Sequence, residues 1–197
     1  MESEERYSFE ELKTVVLDFY KEKRKEHVLG CVDCIGALAE KWLPDSREEL
    51  LRAAYLHDIT KRFSGPSQLI ICDKLGIPLT EDDRLSPPVL HAISGAYFSK
   101  AFFHESDLVC NAIRWHTTGR AEMSLPEILL FLSDMIEPTR SYPELKEIQD
   151  AVSLNPYYGL EVALKRSLEF IASKGQRIHS ATEEAYSWIC KYNRERG

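Results

Sequence analysis

Apolar residues recur at intervals of three and four along most of the chain, and nowhere does apolar/polar alternation persist long enough for a strand. The pattern predicts an all-α protein. Ser8, with Glu11 three residues on, forms a capping box, so a first helix starts there and runs to about Tyr20. A second spans roughly Glu22 to Trp42, closed by Pro44. A third lies in REELLRAAYLHD, where Leu50, Leu51, Ala54 and Tyr55 make a buried stripe. Ser64-Gly65-Pro66 restarts a short helix ending near Gly76, and a polar loop then leads to Pro87-Pro88. Further helices are predicted over 88–103, 106–116, 125–136, 143–151, 157–174 and 181–194, separated by Gly119, Pro138, Pro143, Pro156 and Gly175. There is no internal repeat, low-complexity tract or linker, so a single domain over residues 1–197 is expected, its core at about 22–180.

A chain of 197 residues is long enough to bury roughly 70% of the surface its unfolded form exposes, so a core can house a site. The net charge of −7 argues against duplex nucleic acid as a partner, while a few local cations still suffice for a small phosphorylated ligand. No apolar run approaches the ~20 residues that cross a bilayer. The acidic Glu2, Glu4 and Glu5 do not make a secretory signal, so no membrane association and a cytoplasmic location are expected. The five cysteines are odd in number and unpatterned, which disfavours a disulfide framework. Cys31 and Cys34 form a lone C-x-x-C inside HVLGCVDCIGALAEKW, and they read as small core residues.

Candidate chemistry lies elsewhere. His27, the pair His57-Asp58, His91, His116 and Asp134 are all metal-ligand types set on successive helical segments, as a metal centre in the core of a helical bundle requires. His27 shares a helix face with Cys31, Cys34 and Leu38, and so points inward. Asp134 sits in LLFLSDMIEP, where an inward carboxylate is costly unless paired or metal-bound. Singly, His27 or His91 reads as a satisfied core histidine and Asp58 as a helix-terminus residue; as an ordered set they read as ligands. Nitrogen and oxygen donors without thiolate suit six-coordinate Fe, Mn, Co or Mg better than structural zinc. Arg24 lies three residues before His27, and Lys61 three after Asp58; Arg140 follows the Glu137-Pro138 helix end. Arg120 closes the HTTGR loop, whose Thr117, Thr118 and Gly119 could donate to phosphate. Lys21, Lys23, Lys25 and Arg62 read as a solvated rim, and His104, in FFHES, as a surface loop residue.

The order H…HD…H…H…D resembles the HD-domain metal-dependent phosphohydrolases, all-helical enzymes named for a His-Asp doublet. The segments KRKEHVLG, AAYLHDITK, LHAISGAYFSK, NAIRWHTTGR, LLFLSDMIEPTR and SKGQRIH, spanning residues 24–179, are similar to the bacterial YqeK family. The resemblance implies a single-domain HD-type bundle that hydrolyses diadenosine tetraphosphate symmetrically to two ADP. It implies one divalent metal, iron ahead of Mn, Co or Mg, with a second ion left open. The metal ligands become His27, His57, Asp58 and Asp134. Asp58, Lys61, His91 and His116 take catalytic roles, the two histidines touching phosphate or a second metal. Arg24, Lys61, His91, His116, Thr117, Asp134 and Arg140 contact the nucleotide or its phosphates. Gly175, Gln176, Arg177 and Ile178 form a wall for the base or ribose, with His179 nearby. The expected partner is a dinucleoside polyphosphate or other nucleotide, and homodimerisation is left open. The rival readings are another HD-type nucleotide phosphohydrolase and a nonenzymatic nucleotide sensor.

Overall fold

The computed structural model describes residues 6–196, and among them every regular element is helical. The helices are α1 (Phe9–Phe19), α2 (Glu22–Trp42), α3 (Arg47–Leu56), α4 (Gly65–Lys74), α5 (Glu81–Leu85), α6 (Leu90–Phe103), α7 (Asp107–Trp115), α8 (Leu125–Ile136), α9 (Leu145–Leu154), α10 (Pro156–Ser173) and α11 (Ser180–Arg196). The acidic residues Glu2, Glu4 and Glu5 lie outside the described residues. Among the described residues, no helix is long and apolar enough to cross a membrane.

Local chemistry sets most helix starts. The Ser8 hydroxyl and the Glu11 carboxylate satisfy each other's backbone N–H at the head of α1. Ser106 caps α7, and Asn155 receives two N–H groups at the start of α10. The loop expected between Gly76 and Pro87 instead contains α5. Five residues carry no readable apolar stripe, so periodicity misses this helix. It is held by a Thr80–Asp83 capping box and by Arg177 and Arg114, which grip Asp82 and Asp83.

α8 is buried from Glu127 to Ser133 and lies between two hydrophobic cores. Leu129 and Leu130 pack with Val28, Ile35, Leu50, Leu56 and Ile113 from α2, α3 and α7. Ile128, Phe131 and Leu132 pack instead with Ile148, Leu160, Leu164 and Ile189 from α9, α10 and α11. Cys31 falls in the first of these cores and Cys34 against the second, both as free thiols. A small third cluster, with Cys72, Leu90 and Ile93, joins α4 to α6. His104 ends α6 in the left-handed region at φ 53° and is partly exposed.

Burying charge at the first core requires pairing. Arg52 is buried and meets Glu105 at 2.7 Å, and Glu105 is also held by Arg6 at 2.6 Å. This ties the entry of α1 to the start of α7 and seals one end of the α2–α3–α7 core.

Candidate metal centre

Four helices deliver imidazoles to one point. His27 comes from α2, His57 from the end of α3, His91 from the first turn of α6 and His116 from the end of α7. Each ring is held through Nδ1: His27 on Glu137 Oε1 at 3.0 Å, His57 on the Ala54 carbonyl at 2.7 Å, His91 on the Pro88 carbonyl at 2.8 Å, and His116 on the Ile113 carbonyl at 2.6 Å. A proton on Nδ1 leaves the Nε2 lone pair free, and all four Nε2 atoms face inward. His27 Nε2 lies 3.3 Å from His57 Nε2, and His91 Nε2 lies 3.1 Å from His116 Nε2. Opposed lone pairs at such distances repel unless a cation lies within reach of both. Outer partners that fix ring orientation in this way are characteristic of metal-ligating histidines.

Carboxylates complete the set. Asp134 Oδ1, from α8, is 3.1 Å from His27 Nε2. Asp58 reaches both halves of the centre. Its Oδ2 lies 3.7 Å from His27 Nε2 and 3.6 Å from His57 Nε2, while its Oδ1 lies 3.2 Å from His91 Nε2 and 3.8 Å from His116 Nε2. Cis ligands of an octahedral ion with ~2.1 Å bonds are about 3.0 Å apart and trans ligands about 4.2 Å. From His27 Nε2 to His57, Asp58 and Asp134, and from His57 to Asp58, the separations are 3.1–3.7 Å, close enough for one ion to bridge them. These residues fit a divalent cation, and His91 with His116 around the other oxygen of Asp58 makes a second candidate position.

The electrostatics suit neutral nitrogen and anionic oxygen donors. Burial, together with the neighbouring His91 and His57 rings, pushes His116 down to about 3. Burial likewise holds His57 below its ordinary value. Asp58 and Asp134 are held well below the carboxylate range: burial alone would raise them, but the surrounding histidines outweigh it, and Arg140 adds to the effect at Asp134. For His27 burial is the largest influence and acts downward, yet Asp134 and Glu137 lift its value above the ordinary one, so a cation there competes with a proton.

His27 and Asp58 of this centre, with Glu137 behind His27, line a cleft of about 840 Å³. Arg24 and Arg140 each pair with a ligand carboxylate, Arg24 with Asp58 at 2.6 Å and Arg140 with Asp134 at 2.5 Å. Lys61 is drawn below its ordinary pKa by burial and stands beside the His91 ring, 2.9 Å from Nε2 and 3.2 Å from Nδ1. Lys21, Lys23 and Arg62, read from the sequence as a solvated rim, also line this cleft, beside Phe19 and Tyr142. Two smaller cavities flank the centre. One, of about 240 Å³, has Lys61, Gln68 and His91 in its wall. The other, of about 230 Å³, has His116, Thr117, Asp134 and Arg140.

Other expected contacts lie apart from these cavities. Gly175 ends α10 at φ 63°, but Gly175, Gln176, Arg177 and Ile178 line none of the three, and Arg177 is paired with Asp82 at 2.6 Å. Arg120 turns to the buried Glu127 at 3.1 Å. Glu137 escaped the sequence reading, being taken only as part of a helix end. It is buried, holds His27 and accepts from both the N–H and the hydroxyl of Thr139 at 2.6 Å. The signal lay in Gly30: a Cβ there would collide with the Glu137 carboxylate, so α2 admits Glu137 only opposite a glycine.

Comparison with known proteins agrees with this geometry. The HD domain profile matches residues 24–139. The chain is 32% identical to a protein of Halalkalibacterium halodurans and 30% identical to one of Bacillus subtilis, both named symmetrical bis(5'-nucleosyl)-tetraphosphatase. The alignments cover 85% of this chain and 89% and 90% of those relatives, respectively. The crystal structure of a Clostridium acetobutylicum protein, described as a predicted HD superfamily hydrolase involved in NAD metabolism, superposes with a TM-score of 0.87 at 28% identity, covering 95% of this chain and 100% of that one. With a profile match over more than half its length and relatives aligned almost end to end, the chain belongs to the HD-domain superfamily and, within it, to the YqeK family.

Proposed function

We propose that this chain hydrolyses diadenosine tetraphosphate, and related dinucleoside polyphosphates, symmetrically to two nucleoside diphosphates, with iron as its working divalent metal. The observation that carries the reading is the inward convergence of four Nε2 lone pairs with Asp58 and Asp134 beneath a cleft walled by Arg24, Lys61 and Arg140. Relatives named for this activity support the substrate. When bound, a divalent cation polarises a phosphoryl oxygen and makes water a competent nucleophile at neutral pH.

The chain's own residues do the rest. Arg24 and Arg140 stand at the cleft wall with side chains 37% exposed, close enough to hold the carboxylates and free enough to meet phosphate. Asp58 or Asp134 accepts the proton of the attacking water. Lys61, and Thr117 beside the Nε2 atoms of His91 and His116, donate to the phosphate being cleaved and to the departing nucleoside diphosphate. The cleft's volume is in the range of small-ligand sites, and the flanking cavities offer room on either side of the centre for the two halves of a symmetric substrate. A free nucleotide in the cytoplasm, not a duplex, is the partner this reading assigns.

The test is product analysis. Purified protein with Fe²⁺ or Mn²⁺ is incubated with diadenosine tetraphosphate and the nucleotides are separated by chromatography. ADP as sole product supports the reading. AMP with ATP, or turnover of deoxynucleotides alone, replaces it with another phosphohydrolase, and tight binding without turnover replaces it with a sensor.

A further inference from the structure

The cleft beside the centre carries more positive charge than the metal ligands use. Six cations line it against the three carboxylates Glu26, Asp58 and Glu137, in a chain of net charge −7. Arg24 and Arg140 are taken by the ligand carboxylates Asp58 and Asp134, and Lys61 stands beside His91. Lys21, Lys23 and Arg62 are left. All three are exposed on the cleft wall, and none pairs with a carboxylate among the described residues. Lys25, by contrast, pairs with Glu22 at 3.8 Å and lies outside that wall. At ~1.5 Å of rise per residue, Lys23 and Lys21 precede His27 by roughly 6 and 9 Å, so the positive charge continues away from the metal ligands. Charges of one sign gathered in a cleft concentrate the opposite ion there.

Phe19 ends α1 on the same wall, 48% exposed and outside the three hydrophobic cores. Its neighbour Tyr20 is buried, with its hydroxyl on the Tyr55 carbonyl at 2.7 Å, which pins the turn between α1 and α2 and so places Phe19 at the rim. In the 230 Å³ cavity, which shares Arg140 and Tyr142 with the cleft, Arg140 is the sole Lys or Arg among the described residues. The two ends of a symmetric ligand laid over the centre therefore meet unequal walls.

We propose that the cleft holds the second nucleoside diphosphate half of the substrate, its base stacked on Phe19 and its phosphates on Lys21, Lys23 and Arg62. This deepens, and rests on, the phosphohydrolase reading above. Every base has a π face, so stacking on Phe19 selects for the presence of a second base without distinguishing adenine from guanine. The lysine ammonium groups act as point charges on flexible stems and follow the phosphate chain. Binding energy drawn from a nucleoside remote from the cleaved bond then separates dinucleoside from mononucleoside polyphosphates.

Calorimetric titration of the Mn²⁺-loaded full chain tests this with two uncleavable ligands. One is diadenosine tetraphosphate with a methylene bridge between its second and third phosphates; the other carries a methyl ester in place of one adenosine, so that the charge is unchanged. Wild type should bind the complete analogue at least about fivefold more tightly than the truncated one. Phe19→Ala should abolish most of that difference and Phe19→Trp should keep it, whereas a purely structural role for Phe19 would weaken both analogues alike and overturn the proposal. Lys21→Ala combined with Lys23→Ala should weaken both analogues, most strongly at low salt, because both retain the phosphates. Lys25→Ala should change neither. Equal affinity of wild type for the two analogues, survival of the difference in Phe19→Ala, or unchanged affinities in the double lysine variant would each overturn the proposal. Because neither analogue can be cleaved, the result is independent of whether diadenosine tetraphosphate yields ADP.

Discussion

Glu137 Oε1 receives the Nδ1–H of His27 at 3.0 Å, although the two residues are 110 positions apart and both are buried. That bond selects the tautomer in which His27 Nε2 is a donor to metal, and it joins α2 to the end of α8.

Glu137→Gln should therefore weaken divalent-metal affinity about 10–100-fold while the fold persists. Calorimetric titration with Mn²⁺ measures it; unchanged affinity would remove Glu137 from the centre.

Gly30→Ala should act on the same bond from the other side. Its added methyl meets the Glu137 carboxylate, so we expect a loss of about 1–3 kcal/mol in stability together with weaker metal binding. Denaturant unfolding and metal titration on one variant check both effects.

Asp58→Ala removes the carboxylate that reaches both halves of the centre. Turnover of diadenosine tetraphosphate should fall by more than about 10²-fold. Retention of wild-type kcat would show that the cleft floor is not where the reaction occurs.

Arg140→Ala leaves His27 and Asp134 in place but removes a cation from the cleft. A lost charge-assisted contact is worth about 1.5–3 kcal/mol, so kcat/KM should drop roughly 10–150-fold. Steady-state kinetics decide it, and an unchanged kcat/KM would exclude a phosphate contact.

Acid should loosen the C-terminal helix through Asp82. The Ser180 backbone N–H and then Arg177 hold its carboxyl well below the usual range, so the folded state binds this proton less readily than the unfolded chain. The contribution is fully present above the unfolded value of about 3.9 and is lost as pH falls through the lower folded one. Wild type should lose more stability than Asp82→Asn between neutral pH and about pH 3, which lies below the unfolded value at which the loss sets in. Parallel losses in denaturant titrations would contradict this.

The helices were legible because burial on a helix leaves a period: α2 and α8 match their expected limits, and α1 follows its Ser8–Glu11 box. The ligand types stood out because His and Asp are costly on apolar faces without partners. α5 was hidden, since its five residues are held by contacts with Arg114 and Arg177 from other parts of the chain. Lys21, Lys23 and Arg62 were indistinguishable from any exposed cations until the cleft had a shape.

Local spacing alone established an all-helical chain carrying an ordered set of ligand-type residues, because helical period and capping are short-range properties. Packing decided which Nε2 atoms face each other, that Asp58 turns one oxygen to each pair of histidines, and that Glu137 joins the group. Those outcomes depend on how α2, α3, α6, α7 and α8 cross, and crossing is set by side-chain interdigitation between segments far apart in the chain.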